Sequence, residues 1–202
     1  MQVARLIPPG SSVLDVGCNT GELADLLSNT DYLGIDINKE EINKLKIKGI
    51  KAKALDLNTK SLNFKKKFDY IIALDICEHI LAPVNLIQKF KKILKPEGTL
   101  IISLPNDYHF LNKIKFLFNK NLTQEPFSAL GHLHIFPIKA GKKFLEEQGL
   151  IILKQIYLYP TKPKIFPNFI KKFLSDFFPN NFSRAVIYIT KIKWKIVKIS
   201  LK

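Results

Sequence analysis

V-L-D-V-G-C-N-T-G-E-L, residues 13–23, is a short apolar run with an acid inside it, closed by glycines and followed by a helical pattern; Y-L-G-I-D, residues 32–36, then ends on a second acid, Asp36. This order reads as a strand, a tight loop and a helix that together cradle a nucleotide-like ligand. In the dinucleotide fingerprint the glycines stand as G-x-G-x-x-G and a helix N-terminus holds a pyrophosphate. Here they are Gly17 and Gly21, with Asn19 between them and Asp15 already in the strand. A carboxylate aimed at a pyrophosphate costs affinity, whereas one aimed at a cation gains it. The loop therefore points away from a nicotinamide cofactor.

Working outward, residues 1–7 end a short helix that Pro8, Pro9 and Gly10 break. Strands are predicted at 12–16, 32–37, 49–55, 68–74 and 99–104, alternating with helices at 20–28, 39–48 and 83–94. Their expected inner faces carry Leu23, Leu26 and Leu27; Ile42, Leu45 and Ile47; and Val84, Ile87, Phe90 and Ile93. A helix over 139–148, with Phe144 and Leu145 inward, and strands at 150–159 and 184–192 follow. Alternating strands and helices make an α/β fold with a parallel sheet. Ligands of such sheets sit beyond the carboxyl ends of the strands, here residues 15–21, Asp36, Asp56, residues 75–79 and residues 105–109.

A chain of 202 residues is long enough for one self-sufficient core, so a single domain over 1–202 is expected. Two cysteines, Cys18 and Cys77, exclude a disulfide framework and suit a reducing compartment. No leader-like or membrane-spanning run is evident, and the expected location is cytoplasmic. The net charge is +15, and residues 160–202 hold ten Lys or Arg against the single Asp176. Such a balance favours anionic partners, whether nucleic acid, phosphorylated substrate or an acidic membrane, or simply keeps a Lys-rich surface soluble. No separate basic binding module is recognisable, which argues against nucleic acid.

Residues 107–137 and 160–183 read as insertions on the substrate side. Between 108 and 130 and between 160 and 182 lie ten of the fifteen Phe. Ile165, Phe166, Phe169, Ile170, Phe173, Leu174, Phe177 and Phe178 make one apolar helical face, and Phe110, Leu111, Ile114, Leu117 and Phe118 a weaker one. They form either a lid packed on the sheet or a pair of interfacial helices. In the second case Lys164, Lys171 and Lys172 would favour peripheral contact with an anionic membrane.

V-L-D-V-G-C-N-T-G, then G-I-D, A-L-D-L, F-D-Y-I-I-A-L-D-I-C-E-H and L-K-P-E-G-T-L-I-I-S-L-P-N resembles, in order and spacing, the class I S-adenosylmethionine-dependent methyltransferases. The opening I-P-P-G-S-S-V-L-D-V-G-C is similar to the MetW-like and type 11/23 methyltransferase-domain branches. G-H-L-H-I-F with F-L-E-E-Q-G-L is similar to a segment of small bacterial methyltransferases found with sugar or lipid biosynthesis. The resemblance implies a Rossmann-like seven-stranded sheet of order 3-2-1-4-5-7-6, its last strand antiparallel, with helices on both faces.

It also implies S-adenosyl-L-methionine as cofactor. Gly17 and Gly21 would let backbone approach the methionine part, and Asn19, where the family has Gly, is the residue that best tolerates a left-handed conformation. Asp36 would accept both ribose hydroxyls, Asp56 the adenine amino group, and Asp15 would support the loop and meet the amino end of the methionine. Cys18, Ile37, Leu57, Leu74 and Asp75 complete the cofactor set. Candidate catalytic residues are His79, paired with Glu78, then His132 and His134 on one extended face, and Tyr108. Two His without a third ligand predict no metal, and both cysteines read as inert thiols. The expected reaction moves a methyl group to O or N of a small metabolite, sugar or lipid-linked acceptor, in a monomer or dimer. The other reading is a non-catalytic accessory protein that keeps the fold and regulates a partner enzyme.

Overall fold

The structure is a computed structural model that describes residues 2–118, 131–160 and 167–193. Residues 119–130, and Lys164, Ile165 and Phe166 of the expected apolar face, lie outside the described residues. One sheet contains β1 (Ser12–Val16), β2 (Asp31–Asp36), β3 (Ala52–Ala54), β4 (Phe68–Ala73), β5 (Leu94–Pro105), β6 (Leu150–Leu158) and β7 (Ala185–Ile192). Their order is β3-β2-β1-β4-β5-β7-β6, as the resemblance implied. The first five pair in parallel, and β7 runs antiparallel between β5 and β6.

Alternation along each strand sorts its side chains onto two faces. Leu14 and Val16, Ile71 and Ala73, Leu100, Ile102 and Leu104, and Val186 and Tyr188 point to one side. There they meet Leu86, Ile87 and Phe90 of α3 (Pro83–Ile93) and Leu145 of α5 (Ile138–Glu147). Val13, Ile72, Ile101 and Ile187 point to the other side, against Leu23 and Leu27 around α1 (Glu22–Leu26) and against Val3 and Ile7. Each such fully buried side chain stabilises the fold by about 1.5–3 kcal/mol relative to exposure. Helix α2 (Lys39–Ile47) starts where the Asn38 side chain accepts the N–H groups of Glu40 and Glu41, and it buries Ile42 and Leu45.

Several expectations shift. The opening segment is a single 3-10 turn at Ala4–Leu6, and α1 is shorter than predicted, so Leu26 is exposed. Ile47 falls in the last turn of α2 and faces solvent. In α3, Val84 is exposed and Leu86 takes the buried position. The predicted K-P-E-G turn belongs to β5, which begins at Leu94 and pairs with β4 through a register shift between Phe68 and Tyr70.

The largest departure concerns the aromatic helices α4 (Phe110–Leu117), α6 (Asn168–Phe177) and α7 (Pro179–Phe182). Helix α6 buries Lys171 and Ser175 and leaves Phe169, Phe173, Phe177 and the following Phe178 exposed. Its polar side does the anchoring. The Ser175 hydroxyl donates to the Phe182 carbonyl at 2.8 Å, and the Ser183 hydroxyl returns a bond to the Ser175 carbonyl at 3.1 Å. Helix α4 behaves alike, burying Asn112 while Phe110, Leu111, Ile114, Leu117 and Phe118 are exposed. It reaches α7 through stacked Phe110 and Phe182 rings and the Lys113–Asn181 bond of 2.6 Å.

Candidate active site

The loop after β1 turns because its residues permit positive φ. Gly17, Asn19 and Gly21 have φ of +76°, +44° and +82°. Asn19 thus occupies the left-handed conformation expected of it. A Cβ on Gly17 would stand 2.2 Å from Ile76 Cδ1, and one on Gly21 would stand 2.5 Å from Leu45 Cδ2. The loop is fastened to β2: the N–H groups of Gly17 and Cys18 donate to the Ile35 carbonyl, and that of Asn19 donates to Asp36 Oδ2 at 2.9 Å. The other oxygen of Asp36 accepts the Asn38 N–H at 2.8 Å. An ionised carboxylate has about four lone-pair directions, so Asp36 keeps acceptor capacity for hydroxyl groups. Ile37 beside it is an exposed apolar side chain.

Asp15 is buried under this loop and accepts the Tyr32 hydroxyl at 2.6 Å. Burial pushes its carboxyl up to about 6, partly offset by the Tyr32 bond, with the Asp36 charge adding to the rise. Gly34, opposite Asp15 in the β1–β2 ladder, leaves the room that the Tyr32 hydroxyl and Cys18 sulfur fill. Burial, with the Asp15 and Asp36 charges, pushes the Cys18 thiol up to about 12, and burial raises Cys77 too. Both cysteines are free, buried thiols, inert as expected.

Asp56 is committed to its own turn, accepting the Asn58 N–H at 2.9 Å and the Thr59 hydroxyl at 3.0 Å, while Leu57 packs against the main core. At the end of β4, Asp75 has φ of +54°, a strained conformation for a non-glycine residue. Ser103 holds it: its hydroxyl donates to Asp75 Oδ1 and accepts the Asp75 N–H, each at 2.6 Å. Leu74, Asp75 and Ser103 line a cavity of about 920 Å³ whose other walls include Arg5, Lys154 and Arg184. Among the described residues none of these three cations forms an ion pair.

The histidines sort differently from the sequence expectation. His79 does not pair with Glu78; its Nδ1–H donates to the Gly131 carbonyl at 3.1 Å. Glu78 turns inward, 1% exposed, and faces His132 instead, with Oε1 3.9 Å from Nε2. His132 Nδ1–H donates to Asp107 Oδ1 at 3.1 Å, and the His79 and His132 rings meet edge to face. Burial pushes the Glu78 carboxyl up to about 7. Burial opposes charge on His132, but the Asp107 bond and the charges of Asp107, Glu78 and Asp75 outweigh it and raise its pKa. His134 is occupied elsewhere, its Nε2–H donating to the Ile80 carbonyl at 2.9 Å, and Tyr108 is half exposed outside the cavity lining. Asp107, Ser103 and Tyr32 escaped the sequence reading because each acts through a partner at least 17 positions away.

A family profile described as "Methyltransferase domain" matches residues 2–155. The chain belongs to the class I S-adenosylmethionine-dependent methyltransferases. Among curated methyltransferases, the ubiquinone biosynthesis O-methyltransferase of Haemophilus ducreyi is 32% identical over 110 residues, 48% of this chain and 46% of that protein. The chain spans about half the length of the curated relatives it matches. Among solved structures, a methyltransferase from Archaeoglobus fulgidus superposes with a TM-score of 0.65 at 20% identity, covering 94% of this chain and 91% of that one. The N-methyltransferase NodS from Bradyrhizobium japonicum, in complex with S-adenosyl-L-homocysteine, superposes with a TM-score of 0.60 at 13% identity, covering 92% and 80%.

The methyltransferase loop fits its cofactor on its own geometry. Left-handed backbone at three positions, with Ile76 and Leu45 packed where side chains on Gly17 and Gly21 would stand, fixes the loop beside the Asp36 carboxylate, whose remaining lone pairs suit the hydroxyls of a ribose. Asp56 holds its turn with one bond to each oxygen, and like Asp36 it keeps lone-pair directions for a further donor. Among the described residues no helix is long and apolar enough to cross a membrane.

Proposed function

We propose that the protein transfers the methyl group of S-adenosylmethionine to an oxygen of a small or lipid-linked acceptor bound in the cavity beside Asp75. The observation that carries this is the pairing of Val16 with Ala73 in adjacent parallel strands, so that the Gly17–Gly21 loop, clamped to Asp36, and the cavity-lining Leu74 and Asp75 leave the sheet side by side. When bound, the cofactor supplies an electrophilic sulfonium methyl. Displacement at such a methyl demands alignment and exclusion of water more than covalent help. In this reading Gly17, Asn19 and Gly21 seat the donor through backbone, Asp36 and Ile37 fix its nucleoside end, and Asp15 faces its cationic end. Asp75, held by Ser103, borders donor and acceptor, and His79 and His132 stand at the same rim.

The cavity mixes apolar walls, Leu6, Ile156 and Leu158, with Arg5, Lys154 and Arg184, which suits an acceptor with an apolar body and an anionic end. That the similar ubiquinone biosynthesis enzymes are O-methyltransferases supports oxygen as the acceptor atom. The exposed aromatic faces of α4 and α6 on a chain of charge +15 support collection of that acceptor from an anionic bilayer.

Incubation of the protein with methyl-labelled S-adenosylmethionine and separate polar and lipid extracts tests the proposal. Label appearing as a methyl ether or ester in one fraction is expected. Tight S-adenosylhomocysteine binding with no transfer to either fraction would favour the accessory-protein reading instead.

A further inference from the structure

Glu78, His79 and His132 place three metal-ligating side chains around one point, their donor atoms all within 4.8 Å of one another. Two come from the turn after β4, and the third arrives from the segment before α5. In sequence His132 and His134 alone were too few to suggest a metal; folding instead brings His132 to His79 and Glu78.

Hydrogen bonds set which nitrogen of each ring is available. A carbonyl oxygen accepts and cannot donate, so His79 Nδ1, 3.1 Å from the Gly131 carbonyl, carries the proton and Nε2 holds the lone pair. The same logic applies to His132 Nδ1 against the Asp107 carboxylate, which turns Nε2 toward Glu78. Glu78 Oε2 is buried and, among the described residues, has no hydrogen-bond partner. With His132 neutral, two imidazole lone pairs and a carboxylate converge on one point, an arrangement that a bound cation stabilises.

Distance decides which cation. At 3.9 Å, Glu78 Oε1 and His132 Nε2 are too far apart to share a proton in a hydrogen bond. Donors bound at about 2.0–2.2 Å to one tetrahedral ion stand about 3.3–3.6 Å apart, so this pair needs to close by only a few tenths of an ångström. Histidines that hold metals donate their other ring N–H to a carboxylate or a backbone carbonyl; His132 and His79 do one of each.

We propose that Glu78, His79 and His132 bind a divalent transition-metal ion of the zinc and cobalt class, with Asp107 and the Gly131 carbonyl orienting the two imidazoles. Nitrogen-rich donors select such ions over Mg²⁺, which prefers oxygen. Three protein ligands leave a coordination position for water or an acceptor oxygen. The Asp75 charge acts on Glu78 and His132, which puts the site near the proposed acceptor cavity though not in its lining, and its occupancy is independent of which acceptor is methylated, or whether any is.

Titration of the chelator-treated full chain with Co²⁺ tests the site without reference to activity. One equivalent bound, with visible absorption bands of a nitrogen-ligated ion that Zn²⁺ abolishes, is expected. His132→Gln and Glu78→Gln should each remove these bands, and Asp107→Asn should weaken Zn²⁺ binding about 10–100-fold, as loss of an orienting partner does. Circular dichroism and S-adenosylhomocysteine calorimetry on the same samples report folding and the donor site separately. The proposal is overturned if the folded wild-type chain gives no such bands. It is equally overturned if His132→Gln and Glu78→Gln both keep them, or if Mg²⁺ binds in a way that His132→Gln leaves unchanged.

Discussion

The carboxylate of Asp36 accepts the backbone N–H of Asn19 at 2.9 Å, so the end of β2 and the left-handed crest of the loop form one unit. Loss of that carboxylate removes the clamp and the expected ribose acceptor together. Asp36→Ala should weaken S-adenosylhomocysteine binding by about 10–100-fold, the range for charge-assisted bonds of about 1.5–3 kcal/mol. Calorimetry checks it, and wild-type affinity in a folded variant would refute the role.

Asn19 pays for its left-handed backbone in strain that glycine would not carry. Asn19→Gly should leave stability unchanged or raise it by up to about 1 kcal/mol. Asn19→Val, β-branched at φ of +44°, should destabilise by about 1–3 kcal/mol. Urea unfolding of the pair reads the contrast; equal stability would mean that the loop relaxes freely.

Gly17 is constrained twice, by φ of +76° and by Ile76 Cδ1 at 2.2 Å from any Cβ. Gly17→Ala should lower the melting temperature and donor affinity together. Adding Ile76→Val removes the blocking methyl group and should restore part of the loss, leaving the backbone contribution. Full recovery in the double variant would show that the left-handed conformation is not required.

Asp15 predicts a pH dependence. Its folded-state pKa, about 6, lies above the unfolded value of 3.8, so the folded chain holds a proton that the unfolded chain releases. Stability from this group is present at low pH and is lost as pH rises from about 4 through 6. At pH 8 the loss amounts to about 3 kcal/mol. Asp15→Asn should therefore gain on the wild type by roughly 1 kcal/mol between pH 5 and pH 8. Denaturant titrations at the two pH values measure it, and a pH-independent difference would contradict the assignment.

The exposed aromatics of α6 predict an effect on membranes rather than on folding. Phe169→Gln with Phe173→Gln should change stability by less than about 1 kcal/mol, as surface substitutions do. Recovery with anionic vesicles in sedimentation should fall relative to the wild type. Equal recovery of the wild type with neutral and anionic vesicles would argue against a bilayer contact.

Much of the fold was legible because it rests on local signals. Apolar runs of strand length, glycines at their ends and intervening helical periodicity marked β1, β2, β4, β6, β7, α2, α3 and α5 to within a few residues. Val84, Leu26 and Ile47 were misplaced because periodicity says which residues could share a face, not where the core ends. The aromatic helices show the same limit more sharply. Their apolar stripes were plain in sequence, but α6 is held by Ser175 and α4 by its contacts to α7, so the stripes face outward.

The chain's linear order by itself determined the loop proposed to hold the methyl donor. Gly17, Asn19, Gly21 and Asp36 act through backbone conformation at the ends of adjacent strands, and short-range chemistry dictates both. The arrangement of the histidines was decided by the tertiary structure alone. Glu78 meets His132 and His132 meets Asp107 across 54 and 25 positions of chain, with geometry set by how the segment before α5 docks on the turn after β4. Sequence spacing carries no record of that docking, because it depends on where buried polar groups find partners once the sheet has closed.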